Sequence, residues 1–101
     1  METTAKLNQN EENVLIACLK EIYSFTRVEF GLTCQVKVQG LTKNQIKGYL
    51  SALQTKGLIN IWEQDDQDNQ VILTSSGCDH LLTIIERGEW IQAINDIKEN
   101  I

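Results

Sequence analysis

Between Leu41 and Ile59 the chain sets Lys43, Asn44, Lys47, Gly48, Ser51 and Thr55 at spacings that gather on one side of a helix. At the helical turn angle Ile46, Leu50 and Leu53 centre an apolar stripe, with Tyr49 beside it. Asn44, Gly48, Ser51 and Thr55 fall opposite, flanked by Lys43 and Lys47. Such side chains suit a nucleic-acid groove. Asn can pair with an adenine edge, Lys with a guanine edge or a phosphate, and Ser with either. Gly48 costs ~1 kcal/mol relative to Ala inside a helix. Two readings explain it: a duplex or another backbone comes close there, or the glycine relieves crowding against a neighbouring element.

Other chemistry finds less support. Cys78 and His80 are near neighbours and folding could bring Cys34 to them, but no Cys-x-x-Cys pair or fourth ligand is evident, so no metal is expected. Cys78 is expected to pack and His80, the single histidine, to sit at a helix surface. Nucleophilic catalysis needs a base and an orienting group beside the nucleophile, and no Ser or Cys here has that setting. The glycines form no phosphate-binding cluster. The chain therefore reads as a non-enzyme without a cofactor.

The element that positions the polar face has both ends marked. Thr42 suits the N-cap, its hydroxyl accepting from a first-turn N–H. Gly57 stands where a left-handed C′ residue belongs, with Lys56 in the last turn. Leu58, Ile59 and Ile61 then open a strand.

Upstream, Met1 to Leu7 is polar and expected to fray. Asn8 and Glu11 have capping-box spacing, and Leu7 can staple the entry. Val14, Leu15, Cys18, Leu19, Ile22 and Phe25 extend a helix over about Gln9 to Phe25. Val28 to Gln39 supports two readings. One is a short strand around Cys34 to Val38; the other is a short helix after Gly31 capped by Thr33. Downstream, Leu58 to Gln64 and Gln70 to Thr74 flank the polar turn Asp65 to Asn69, which makes a β-hairpin. Thr74, Ser75 or Ser76 caps another helix carrying Leu81, Leu82, Ile84 and Ile85, which Gly88 loosens or ends. A last helix, Glu89 to Ile101, carries Trp90, Ile91, Ile94, Ile97 and Ile101.

The 101 residues amount to one domain, mainly α with a small β-hairpin (α+β). Apolar residues are 42% and charged residues 23%, ordinary for a globular chain. No apolar run reaches the ~18 residues of a membrane span, and no charged-then-apolar leader opens the chain, so a cytoplasmic protein is expected. Cys18, Cys34 and Cys78 are odd in number and widely spaced, as reduced, buried thiols would be. Net charge is −5, unevenly spread. Lys20 to Ile59 holds six cations against two anions, a net +4; the remainder holds three against twelve, a net −9. That asymmetry can steer a polyanion to one face.

Three local features resemble the winged helix-turn-helix superfamily, most closely MarR- and PadR-like bacterial regulators. Gly40, Leu41 and Thr42 open a helix. Ile46, Leu50 and Leu53 lead to Lys56-Gly57-Leu58-Ile59, where it ends and a strand begins. Leu73-Thr74 followed by Gly77 hands a second strand to a helix. The resemblance spans roughly Asn8 to Ile85 and implies one winged-helix domain over 1–101. In that picture Thr42 to Thr55 is a recognition helix lying in a major groove of double-stranded DNA. Thr42, Lys43, Asn44, Lys47, Gly48, Ser51 and Thr55 would be its contacts, and regulation of transcription its purpose. A phage or mobile-element protein fits the same picture.

One feature departs from those relatives, which usually carry Arg or Lys at the wing tip. Here Asp65, Asp66 and Asp68, preceded by Glu63, would meet phosphates with like charge. The acidic loop then has three readings: a wing held off DNA, a solvated turn, or a contact for a basic protein partner. The apolar tail likewise has two readings. Trp90, Ile94 and Ile97 are core, or they join a partner surface such as a homodimer seam. A protein-interaction module on the same fold is thus the alternative to DNA binding.

Overall fold

The computed structural model describes residues 7–25, 30–63, 69–86 and 88–101, the side chains of residues 24 and 25 aside. In chain order they form helix α1 (Gln9–Phe25), strand β1 (Gly31–Leu32), a 3-10 turn (Thr33–Gln35), helix α2 (Lys43–Thr55), strands β2 (Ile59–Trp62) and β3 (Gln70–Leu73), and helices α3 (Ser75–Ile84) and α4 (Gly88–Glu99). The architecture is mainly helical with a small antiparallel sheet, as the sequence suggests. The sheet has three strands in the order β1-β3-β2, not the two of a hairpin alone.

The segment with two readings resolves into neither of them. Gly31 and Leu32 pair with Val71 and Gln70 of β3, and the Thr33 N–H donates to the Asn69 carbonyl at 2.9 Å. The strand therefore lies ahead of the expected Cys34–Val38 stretch. The helical part shrinks to one 3-10 turn, with Leu32 at its N-cap and no side-chain cap, so Thr33 does not cap it.

Local signals set most other boundaries. The Asn8 Oδ1 accepts from the Glu11 N–H at 2.8 Å, and a Glu11 carboxylate oxygen accepts from the Asn8 N–H at 3.0 Å, closing the capping box that starts α1. Val14, Leu15, Cys18, Leu19 and Ile22 are fully buried along that helix. They meet Ile46, Leu50 and Leu53 of α2, Val71 and Leu73 of β3, Leu81 of α3, and Ile94 and Ile97 of α4 in one core.

The exit from α2 is a Schellman motif. The Gly57 N–H donates to the Gln54 carbonyl and the Leu58 N–H to the Leu53 carbonyl, both at 3.0 Å, with Gly57 at φ +80°. Leu53 and Leu58 are both buried, the apolar pairing that frequently accompanies that motif. The chain thus enters β2 with Ile59 and Ile61 paired to Leu73 and Val71. Gln54 also turns back, its Oε1 accepting from the Ile61 N–H at 2.8 Å. Part of the sheet edge is covered in this way.

The β3–α3 junction locks onto the same corner. Thr74 caps α3 by accepting from the Gly77 N–H at 3.0 Å, and its hydroxyl donates to the Gly57 carbonyl at 2.7 Å. A Cβ on Gly77 would stand 2.1 Å from the Leu58 carbonyl oxygen, so only glycine lets α3 pack there. Lys98 of α4 pairs with Asp79 of α3. Among the described residues, no helix is long and apolar enough to cross a membrane.

Candidate nucleic-acid interface

α2 separates its faces cleanly. Ile46, Leu50 and Leu53 are buried, whereas Thr42, Lys43, Asn44, Lys47, Gly48, Ser51 and Thr55 are all exposed. All seven sequence-predicted residues are therefore open to solvent. Thr42 is held by a full capping box. Its hydroxyl oxygen accepts from the Gln45 N–H at 3.1 Å, and the Gln45 Oε1 accepts from the Thr42 N–H at 2.8 Å. Its hydroxyl proton stays available to an acceptor such as a phosphate.

Gly48 separates its two readings. Among the described residues, a Cβ built there meets nothing within 4 Å, so none of their elements is being accommodated. The crowding explanation falls, and a smooth, open patch lies between Lys47 and Ser51.

The charges of the helix differ in use. Lys56, at its C-cap, reaches back to Glu11 with Nζ 3.0 Å from both carboxylate oxygens. That pair joins the end of α2 to the start of α1. The Asn8 N–H hydrogen bond, then the Lys56 ammonium, hold the Glu11 carboxyl below its ordinary range against a weaker opposing effect of burial. Lys43 and Lys47 enter no ion pair among the described residues, and α2 itself carries no Asp or Glu. Tyr49 lies half-buried at the edge of the stripe, its hydroxyl accepting from the Asn10 amide at 3.0 Å. Side chains of α1 thus hold α2 at Tyr49 and at its far end.

The structure adds two residues that sequence reasoning did not select. Lys37 is exposed on the segment facing the first turns of α2, beside Lys43 and Lys47. The alternation of Val36, Lys37 and Val38, with valines inward and lysine outward, was the available signal. Trp62 is 58% exposed at the end of β2, next to exposed Glu63. Its outward phase in the strand was readable, but its lack of cover was not. Asp65, Asp66 and Asp68 lie outside the described residues.

The alternative contact set on α4 is corrected. Ile94 and Ile97 are 0% and 2% exposed and belong to the core, so they offer nothing to a partner. Trp90 is half-buried, edge-on to Tyr23 with ring centroids 6.0 Å apart, and has the Lys20 ammonium 5.9 Å from its ring centre. His80 is corrected as well. Its side chain is only 10% exposed, with Nε2 3.6 Å from a Glu12 carboxylate oxygen, between α3 and α1 rather than at an open surface.

No cysteine is in a disulfide; Cys18 and Cys78 are buried as expected, whereas Cys34 is only half-buried. Burial, then Glu21, pushes Cys18 up to about 12; burial and Asp79, opposed by Lys98, push Cys78 up to about 11. Both stay protonated at neutral pH and serve as small apolar side chains. Among the described residues, no three His, Cys, Asp or Glu gather as a metal site would need. Compared with known proteins, the chain matches no family model, no curated protein and no solved structure.

Proposed function

We propose that this chain is a winged-helix DNA-binding protein, a small cytoplasmic transcriptional regulator that reads the major groove with α2. The single observation that carries the reading is the outward face of α2. It offers Lys43, Asn44, Lys47, Gly48 and Ser51 together, with no carboxylate on the helix and an unobstructed glycine at its centre. The element order α1-β1-α2-β2-β3-α3 and the strand order β1-β3-β2 support the winged-helix frame. Lys43 and Lys47 supply phosphate or guanine contacts, while Asn44 and Ser51 supply base-edge hydrogen bonds. The element before α2 is a single 3-10 turn. α2 is steadied by its capping box, by Asn10–Tyr49 and by Lys56–Glu11.

A mobility-shift assay on a random duplex pool at low salt tests this. Micromolar binding is expected, weakened roughly tenfold or more by the double substitution Lys43→Glu, Lys47→Glu, with a shallower salt dependence. Absence of binding by the folded protein, or indifference to the double substitution, refutes it.

A second reading has its own observation. Trp62 stands exposed beside Glu63 at the base of the acidic loop, a combination suited to a basic protein surface. On that reading the fold is a protein-interaction module and Trp62→Ala abolishes partner binding while duplex binding is unaffected. For a homodimer through the C-terminal helix, the large apolar residues left at least partly accessible there are Trp90, Ile91 and Ile101.

A further inference from the structure

Alternation along the hairpin sends Ile59, Ile61, Val71 and Leu73 toward the core and Asn60, Trp62, Gln70 and Ile72 to the outer face of the sheet. Asn60 stands opposite Ile72 and Trp62 opposite Gln70, so Trp62 and Ile72 are diagonal neighbours on that face. The end of α4 extends it. Ile97, Asn100 and Ile101 join Asn60 and Ile72 around a groove of about 360 Å³ lined by uncharged residues. Ile101 and Trp62 are the two most exposed large apolar side chains among the described residues. The first lines the groove, and the second lies two positions along β2 from it.

Charge says what can cover this face. Residues 57–86, which supply β2, β3 and α3, hold six carboxylates and no Lys or Arg. Glu63 is exposed directly after Trp62. On α4, Asp96 and Glu99 are exposed, while Lys98 pairs with Asp79. Like charge repels a polyanion here, and a neutral apolar segment would leave the carboxylates unused. A cation is drawn in by the field and has the face of the Trp62 ring to rest on. At the edge of β2, Gln54 already accepts from the Ile61 N–H, so a partner lies across the face instead of adding a strand.

We propose that the outer sheet face docks an extended, basic segment of a partner protein. An apolar side chain of that segment fills the groove between Ile72 and Ile101, and a Lys or Arg two residues away covers Trp62 beside Glu63. Extended chain sets side chains i and i+2 on one side about 6.6 Å apart, the same rise that separates Asn60 from Trp62 along β2. The inference rests on the second reading above, a basic surface at Trp62, and gives that surface its form and its second anchor. It is independent of duplex binding by α2.

The test titrates the full chain, without DNA, with three end-blocked hexapeptides. One alternates isoleucine and arginine, one has glutamate in place of arginine, and one places three isoleucines before three arginines. The alternating arginine peptide is expected to bind saturably, roughly tenfold tighter than either control, and more weakly as salt rises. The indole N–H signal of Trp62 should shift and that of Trp90 should not, with amide shifts in residues 60–63, 70–73 and 97–101. Trp62→Ala, Glu63→Lys and Ile101→Asp should each cost roughly tenfold in affinity with the thermal midpoint unchanged, whereas Lys43→Glu with Lys47→Glu should cost none. Equal affinity for the arginine and glutamate peptides, or shifts centred on α2 or Trp90, overturn the proposal. Binding lost in Trp62→Ala but indifferent to Ile101→Asp and to residue order overturns the groove and keeps the basic contact of the second reading. Failure of both arginine peptides to bind overturns the two together. A concentration-dependent dimer that Trp62→Ala disperses assigns the face to a second copy and overturns the basic partner.

Discussion

α2 and α4 are both amphipathic helices of similar length with large aliphatic residues at helical spacing, yet only one leaves its candidate residues in solvent. On α2 the candidates are the polar residues opposite the stripe, and packing of Ile46, Leu50 and Leu53 turns them outward. On α4 the candidates are the stripe itself, and the same hydrophobic gain turns Ile94 and Ile97 inward. A run of large apolar residues near a chain end is thus weak evidence for a partner surface, because the chain's own core competes for it. A polar face opposite such a run has no competing burial and stays available.

That contrast can be broken by substitution. The largest effect is expected on α4, where Ile94→Ala should cost about 2–5 kcal/mol in denaturant unfolding. Duplex affinity, measured on the fraction that remains folded, should not change. A loss of stability below about 0.5 kcal/mol would mean that Ile94 is less well packed than its burial indicates. Next comes Thr42→Ala, which removes the hydroxyl half of the α2 capping box and should lower stability by about 1 kcal/mol.

Gly48→Ala sharpens the comparison because its two readouts should move in opposite directions. With open space around the new methyl, the helix gains about 0.5–1 kcal/mol of stability. Duplex affinity should nonetheless fall, since the methyl occupies the gap that α2 offers a groove. Higher stability with unchanged affinity would remove Gly48 from the interface.

The smallest effect concerns the Glu11–Lys56 clasp. The folded-state pKa of Glu11 lies below its unfolded value near 4.5, so the clasp stabilises the fold above that pH. Its contribution fades as pH falls through 4.5 toward the lowered folded value. Glu11→Gln should therefore destabilise at neutral pH and flatten the stability profile on the acid side, with little difference from the parent at the lowest pH. A stability difference that persists undiminished in acid would assign the loss to packing instead of charge.

Much of the fold was readable locally. α1, α2, the hairpin strands and both C-terminal helices lie close to where periodicity and caps put them, because each signal acts within a few residues. Asn8–Glu11, Thr42–Gln45 and the Gly57 turn are hydrogen-bonded units the chain spells out in order. The outward face of α2 followed from the same periodicity.

Tertiary structure decided what depends on distant partners. Residues 31–35 become strand and 3-10 turn because β3, some forty positions later, supplies the pairing for Gly31 and Leu32. Weak alternation in the segment could not name that partner. His80 is enclosed because α3 packs on α1, and Lys37 joins Lys43 and Lys47 because the loop before α2 folds across its first turns. Local spacing alone determined which side of α2 carries polar groups. Only the packed chain determined that Lys37 stands beside Lys43 and Lys47, since they come from segments with no regular spacing between them.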